Sequence, residues 1–150
     1  MLSDKIVSLK MAPLLCVASG ASVRQVIETV QRHRVGAVLV CEGKRLVGIM
    51  TERDVLMKVI ARDVEYDEPV DKFMTSDPIT LTPERTIGEG IALMNDHGIR
   101  NIPVVDLQTG EAKAIFRIQD VIDYLAESFP GQVLNLPPQP HQQMTTPEGA

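Results

Sequence analysis

The stretch GIMTERDVL, residues 48–56, changes from a strand pattern to a helix pattern at Thr51. Two charged residues follow, and Asp54 lies three positions after the threonine. This spacing is close to a capping box, in which the threonine hydroxyl accepts a hydrogen bond from a backbone N–H of the first helical turn. The same hydroxyl and the free N–H groups beside it could also bind a phosphate-bearing ligand. The pair is therefore interpreted as a helix cap, a ligand site, or both.

The stretch occurs a second time as AIFRIQDVI (114–122), which aligns Asp120 with Asp54 at an offset of 66 residues. Upstream, the apolar positions of 23–30 follow one face of a helix and recur in 87–94, at an offset of 64 residues. The offset grows by two because the turn DLQTGEAK is two residues longer than its counterpart. Such self-similarity indicates a tandem repeat.

Each copy predicts the order β-α-β-β-α. The strands are expected at 14–17, 37–41 and 45–50 and at 79–81, 101–105 and 112–116, and the helices at 22–33 and 51–61 and at 86–97 and 117–128. A small three-stranded sheet cannot bury both of its faces alone, so the copies are expected to pack sheet against sheet with pseudo-two-fold symmetry. The predicted fold class is α/β (α+β).

Four segments follow from this division of the chain. The first repeat spans 4–62 and the second repeat spans 78–128, with a linker at 63–77 that is expected to hold one short helix. Residues 129–150 are rich in proline and glutamine, which predicts an extended or disordered tail.

Composition excludes several classes of function. The chain has 150 residues, 44% of them apolar, and a formal net charge of −5, which disfavours nucleic-acid binding because that needs clustered Lys and Arg. No apolar run approaches the ~18 residues of a membrane helix. Cys16 and Cys41 form no zinc-binding or disulfide pattern and are predicted to be buried, inert thiols, which fits a cytoplasmic location.

The repeat order and two motifs resemble a pair of CBS domains, the Bateman module. The motifs are G-I-x-T-x-R-D at 48–54 and DPITLTPERTIGEGIALMNDHGIRNIPVVD at 77–106, and the resemblance covers 4–128. It implies a module that binds adenosyl compounds, namely AMP, ADP or ATP and less commonly S-adenosylmethionine or NAD. Most such modules control an attached enzyme, channel or transporter, whereas a chain of this length is expected to be a stand-alone pair.

The resemblance also implies two nucleotide-binding sites, in which the aspartate of T-x-x-D binds the ribose hydroxyls and the threonine lies nearer the phosphate. Predicted site 1 consists of Thr51, Arg53, Asp54, Thr82, Ile87, Ile99 and Arg100. Predicted site 2 consists of Ala18, Val23, Val35, Gly36, Arg117 and Asp120.

The second copy departs from the family pattern. Arg117 stands where Thr or Ser is usual, and Ala114 stands where Gly is usual. Arg117 could bind a phosphate through two hydrogen bonds, or it could be a solvent-exposed arginine over an empty site. In predicted site 1, Arg100 could bind phosphate or narrow the slot for the base.

These observations predict a non-catalytic regulatory module that binds adenine nucleotides, senses the energy state of the cell, forms a disc-shaped homodimer and passes its signal to an unknown protein target. The alternative is a structural interaction module with vestigial nucleotide sites. An enzyme is disfavoured because the sequence shows no nucleophile–base pair and no glycine-rich phosphate loop. His33 and His97 end the two predicted first helices and have no further ligands at metal-binding spacing, so no metal is expected.

Overall fold

The structure, a computed structural model, describes residues 2–11 and 14–128. The prediction for the tail at 129–150 lies outside these residues. The elements in chain order are a 3-10 turn at Ile6–Ser8, β1 (Cys16–Ala18), α1 (Val23–His33), β2 (Ala37–Glu42), β3 (Arg45–Thr51), α2 (Glu52–Asp54) continued by π-helical turns at Val55–Ile60, a 3-10 turn at Val70–Lys72, β4 (Thr75–Ser76), α3 (Ile87–His97), β5 (Asn101–Val105), β6 (Ala112–Arg117) and α4 (Ile118–Ser128).

The strands form one sheet in each repeat. In the first repeat the order is β1-β2-β3-β4, with β1 parallel to β2 and the other pairs antiparallel. In the second repeat β5 and β6 form an antiparallel pair. Ala37 lies opposite Thr51 in one hairpin, and Asn101 lies opposite Arg117 in the other. The two hairpins therefore have the same register, which confirms the predicted internal repeat.

Three elements differ from the prediction. The strand expected at 79–81 is reduced to a single parallel bridge between Leu81 and Val104. The helix expected at 51–61 is α-helical only at its start, and its later turns have i→i+5 hydrogen bonds, such as that from the Ala61 N–H to the Leu56 carbonyl at 2.9 Å. The predicted linker contains its short helix but also β4, which extends the first sheet.

The two sheets pack face to face. A cluster of buried side chains joins them: Ala37, Leu39, Cys41 and Ile49 come from the first sheet and Ile115 comes from the second. Each repeat has a further apolar cluster between its sheet and its helices. The mixed α+β fold with sheet-to-sheet packing is thereby confirmed.

The repeats exchange their leading segments. Ile6 lies before β1 in the leading segment of the first repeat, yet it is fully buried in the core of the second repeat, where its N–H donates to the Arg85 carbonyl at 2.8 Å. Val70 precedes the second repeat and is fully buried in the core of the first, where its N–H donates to the Ala21 carbonyl at 2.7 Å. The exchange follows the 64-residue offset, since Ile6 matches Val70 and Ala21 matches Arg85.

The two cysteines lie on the neighbouring strands β1 and β2. The Cys41 thiol donates to the Cys16 sulfur at 3.5 Å. Cys41 is buried as predicted, whereas Cys16 is exposed, and that part of the prediction was wrong. Cys16 follows the exposed–buried–exposed alternation of a strand at the edge of its sheet, with only Val17 turned inward. Burial and, to a smaller extent, the neighbouring Cys16 together raise the pKa of the Cys41 thiol to about 12.

Candidate functional site

A cavity of about 890 Å³ lies between the two repeats, in the size range of small-molecule sites. It is called the large cavity below. The first repeat contributes the start of β2, the end of β3 and the first turn of α2, while the second contributes the start of β5, the end of β6 and the start of α4. The lining residues are Gly36, Ile49, Thr51, Glu52, Arg53, Asp54, Thr75, Asp77, Pro78, Ile79, Gly98, Ile99, Arg100, Asn101, Pro103, Arg117, Ile118 and Gln119.

Thr51 and Asp54 form a capping box on the wall of the large cavity. The Asp54 N–H donates to the Thr51 hydroxyl oxygen at 3.1 Å, and the Asp54 carboxylate accepts from the Thr51 N–H at 3.0 Å. Its other oxygen lies 3.2 Å from the Lys58 ammonium. The Asp54 side chain keeps 15% of its surface exposed, so the cap leaves carboxylate surface accessible to a ligand. The cap is present, and it does not occupy the carboxylate completely.

Charged and apolar groups are both present in the large cavity. Arg53 and Arg100 are exposed, and neither has a carboxylate within 4 Å among residues 2–11 and 14–128. Ile79, Ile99 and Pro103 supply apolar surface. A cavity with apolar walls and a few polar groups suits a ligand that has a flat apolar part and an anionic part.

The structure brings together most of predicted site 1. Thr51, Arg53, Asp54, Ile99 and Arg100 all line the large cavity. Thr82 and Ile87 do not line it. Ile87 is fully buried in the core of the second repeat, because the first turn of α3 points its apolar face toward β5 and β6.

The residues of predicted site 2 lie in different parts of the structure. Gly36 and Arg117 line the large cavity, while Ala18, Val23 and Val35 do not line it. Val23 is fully buried in the core of the first repeat. The repeat shows which positions are equivalent, but it does not show which of two neighbouring cavities each residue lines. Gly36 and Arg117, assigned to predicted site 2, therefore appear in the large cavity.

Sequence reasoning missed Asp77, Pro78 and Ile79, which line the large cavity from the end of the linker. The DPI triplet was visible at the start of the second motif, but it was assigned to the linker and to an expected strand. The hydrogen bond from the Asp77 N–H to the Val47 carbonyl at 3.4 Å, next to β4, places this segment beside β3. A local signal for this segment was Pro78, directly after the linker, because proline fixes its own backbone φ angle.

A second cavity of about 500 Å³, called the small cavity, lies at the start of α4. It is lined by Lys10, Met11, Arg117, Asp120, Asp123, Tyr124, Ala126 and Glu127. Arg117 donates from Nε to one Asp120 oxygen at 3.0 Å and from a terminal nitrogen to the other at 2.6 Å. Only 3% of the Asp120 side chain and 25% of the Arg117 side chain are exposed. The hydrogen bonds to Asp120 raise the pKa of Arg117 further above its ordinary value.

This pairing differs from both interpretations of Arg117 offered by the sequence. The guanidinium at the end of β6 is held by the Asp120 carboxylate, which lies in the first turn of α4. Arg117 cannot accept a backbone N–H as Thr51 does, and it therefore interacts with Asp120 through its side chain.

Two features are absent from the described residues. None of the helices there is long and apolar enough to cross a membrane. Across 2–11 and 14–128, His, Cys, Asp and Glu side chains nowhere gather in a group of three or more that could hold a metal ion.

Comparison with known proteins gave three informative matches. An uncharacterized protein of Methanopyrus kandleri is 34% identical over 94 residues, which are 61% of this chain and 47% of that protein, so the chain spans about half the length of that relative. The structure of an uncharacterized conserved protein from Pyrococcus horikoshii matches with a TM-score of 0.75 and 26% identity over 83% of this chain and 93% of that one. A CBS domain protein from Pyrobaculum aerophilum, solved in complex with AMP, matches with a TM-score of 0.73 and 26% identity over 82% of this chain and 98% of that one.

The family model of the CBS domain matches the chain twice, at residues 6–61 and 70–127. The two matches coincide with the two repeats seen in the sequence and in the structure, and each includes the leading segment, at Ile6 and at Val70, that docks on the other repeat. The chain belongs to the CBS domain family, as a tandem pair.

Proposed function

We propose that the protein is a non-catalytic regulatory module that binds an adenine nucleotide in the large cavity. One observation carries this proposal: the Thr51–Asp54 pair stands on the cavity wall with part of the Asp54 carboxylate accessible. The Pyrobaculum structure supports it, because a related CBS pair holds AMP. A regulatory role agrees with the CBS family, whose tandem pairs generally regulate other activities.

The geometry fits the three parts of a nucleotide. An ionised carboxylate has about four lone-pair positions, and the Thr51 N–H, the Thr51 hydroxyl and Lys58 use three of them. Asp54 can accept both ribose hydroxyls once the partly exposed Lys58 moves aside. Arg53 and Arg100 supply positive charge for phosphate oxygens. The apolar side chains of Ile79 and Ile99 offer faces against which adenine can stack. In this arrangement Arg100 binds phosphate and does not narrow the slot for the base.

The proposed form of the protein in solution is a homodimer. Leu56 and Ile122 occupy equivalent positions of the two repeats at the 66-residue offset, and 57% and 49% of their surfaces are exposed. Met57 and Ile60 extend the apolar surface on the first repeat, with 59% and 49% exposed. Matched apolar positions on both repeats suit contact with a second copy.

A nucleotide carries a signal only if it binds one arrangement of the module more tightly than another. We propose that binding in the large cavity fixes the two repeats relative to each other, because residues of both line it. The target protein that receives this signal and a location in the cytoplasm stay predictions.

The test is a thermal-shift screen with AMP, ADP, ATP, S-adenosylmethionine, NAD and GTP. A ligand at a hundred times its Kd stabilises the folded state by about 2.7 kcal/mol. For a chain of this size that corresponds to a rise in melting temperature of ~5–10 °C. We expect such a rise with adenosyl compounds and none with GTP. If no compound shifts the melting temperature at millimolar concentration, the proposed function is wrong.

The alternative is a structural interaction module with vestigial sites. The Arg117–Asp120 ion pair favours it, because it removes one of the two aspartates that the family pattern assigns to ribose. Asp54 opposes it, since that carboxylate is still accessible. The same screen separates the two functions.

A further inference from the structure

The two cavities are equivalent by repeat symmetry in part of their walls. Asp54 of the large cavity matches Asp120 of the small cavity, and Thr51 matches Arg117 at the same 66-residue offset. The backbone repeats as well: the Glu52 N–H donates to the Gly36 carbonyl at 2.9 Å, and the matching bond from Ile118 to Arg100 measures 3.3 Å. The backbone geometry at the two aspartates is therefore alike.

The environments of the two aspartates differ. One oxygen of Asp54 accepts from the N–H and hydroxyl of Thr51, and the other lies 3.2 Å from Lys58, whose side chain is 36% exposed; Asp54 itself keeps 15% of its side chain exposed. Asp120 has both oxygens engaged by the Arg117 guanidinium at 2.6 and 3.0 Å and keeps 3% exposed. A two-point arginine–carboxylate pair fills the carboxylate edge that two ribose hydroxyls would need.

A nucleotide would have to break this pair to reach Asp120. Two neutral hydroxyls replace a guanidinium poorly, because they would leave the nearly buried Asp120 carboxylate without its opposite charge. The displaced Arg117, which also lines the large cavity, would have to find another partner.

We propose that Arg117, by pairing with Asp120, closes the small cavity to nucleotide, so that each chain binds one nucleotide, in the large cavity. This rests on the proposed function for the large cavity, but its test is separate. The two repeats then act unequally: the first repeat supplies the aspartate that binds ribose, and in the second repeat the matching aspartate belongs to an internal ion pair.

The test is isothermal titration calorimetry with AMP on the full chain and three variants. Arg117→Thr restores the T-x-x-D pattern in the second repeat and should add a second equivalent of AMP. Arg117→Thr combined with Asp120→Ala should lose that second equivalent, because its ribose acceptor is gone. The matched control is Arg85→Thr, which removes an exposed arginine from the ion pair with Glu89 at 2.7 Å, outside both cavities, and should leave the stoichiometry unchanged.

The unaltered chain tests the proposal even if Arg117→Thr fails to fold. One equivalent of AMP per chain supports the proposal, and two equivalents overturn it. A folded Arg117→Thr variant that gains no equivalent also overturns it. Binding by Arg117→Thr but not by the unaltered chain would uphold the closing of the small cavity and refute the function proposed for the large one. If neither protein binds AMP, ADP or ATP in the same titration, both proposals are wrong.

Discussion

Replacing Asp54 by alanine separates two roles, the observed capping of α2 and the proposed binding of ribose. In the unliganded protein its carboxylate accepts from the Thr51 N–H and hydroxyl at 3.0 Å and lies 3.2 Å from Lys58. Losing the cap costs about 1 kcal/mol, and losing the half-exposed ion pair adds at most ~1 kcal/mol. For a chain of this size the melting temperature should then fall by ~2–8 °C.

The effect on nucleotide affinity should be larger. A hydrogen bond to a charged group contributes about 1.5–3 kcal/mol, and Asp54 is proposed to accept two from ribose. Their loss of ~3 kcal/mol or more weakens Kd over about a hundredfold, since every 1.4 kcal/mol is a factor of ten. Calorimetry with AMP and thermal unfolding without ligand measure the two effects separately.

The chain offers a matched control in the capping box of α3. Glu89 accepts from the Thr86 N–H and hydroxyl at 3.1 Å, as Asp54 does from Thr51, but it lines neither cavity. Glu89→Ala should lower the melting temperature and leave the Kd for AMP unchanged. The reasoning is refuted if Asp54→Ala destabilises the protein but keeps its affinity, or if Glu89→Ala weakens binding as much as Asp54→Ala.

Three further predictions concern the fold. A methyl group at Gly90 would lie 2.5 Å from the buried Phe116 ring, so Gly90→Ala should lower the free energy of unfolding in urea by about 1–3 kcal/mol despite its better helix propensity. Hydrogen bonds from the Ser19 hydroxyl and the Gly20 N–H lower the pKa of Asp71. The stability that the ionised carboxylate contributes is present above pH 3.8 and is lost as the pH falls through the lowered pKa. Ser19→Ala should therefore move acid unfolding, followed by circular dichroism, to higher pH. The pKa of the Cys41 thiol is raised from 9.0 to about 12, which means that the folded state disfavours its thiolate. The protonated thiol therefore contributes its full stability below pH 9, and this stability is lost as the pH rises toward 12. Alkylation at pH 8 should therefore be slower for the native thiol than for the unfolded one, as measured by mass spectrometry.

The sequence was most informative about those residues of the large cavity that lie close together in the chain. Thr51, Arg53 and Asp54 lie in one motif, and the turn from β3 into α2 places them together whatever the rest of the chain does. Ile99 and Arg100, which also line the cavity, were assigned through the resemblance to a CBS pair, which implies that the start of the middle strand contributes to the site.

The prediction failed where the position of a side chain depends on distant packing. Ile87 was placed in a site by analogy, but it fills the core of the second repeat. The pairing of Arg117 with Asp120 could not be read from their spacing, because an arginine three residues before an aspartate can also extend into solvent.

The repeat, the order of elements in each copy and the Thr51–Asp54 cap were all predictable from the chain, because they depend on apolar periodicity and on contacts within a few residues. Which repeat each leading segment joins depends instead on long-range packing. Ile6 and Val70 have the same local pattern, and either could pack on its own copy, but each is buried in the other repeat. The difference between Asp54 and Asp120 also comes from the tertiary structure. Asp54 keeps 15% of its side chain exposed and Asp120 keeps 3%, because side-chain direction and burial differ between the two positions. The first outcome depends on packing between segments that are far apart in the chain, and the second depends on side-chain conformation. Neither leaves a periodic signal in the sequence.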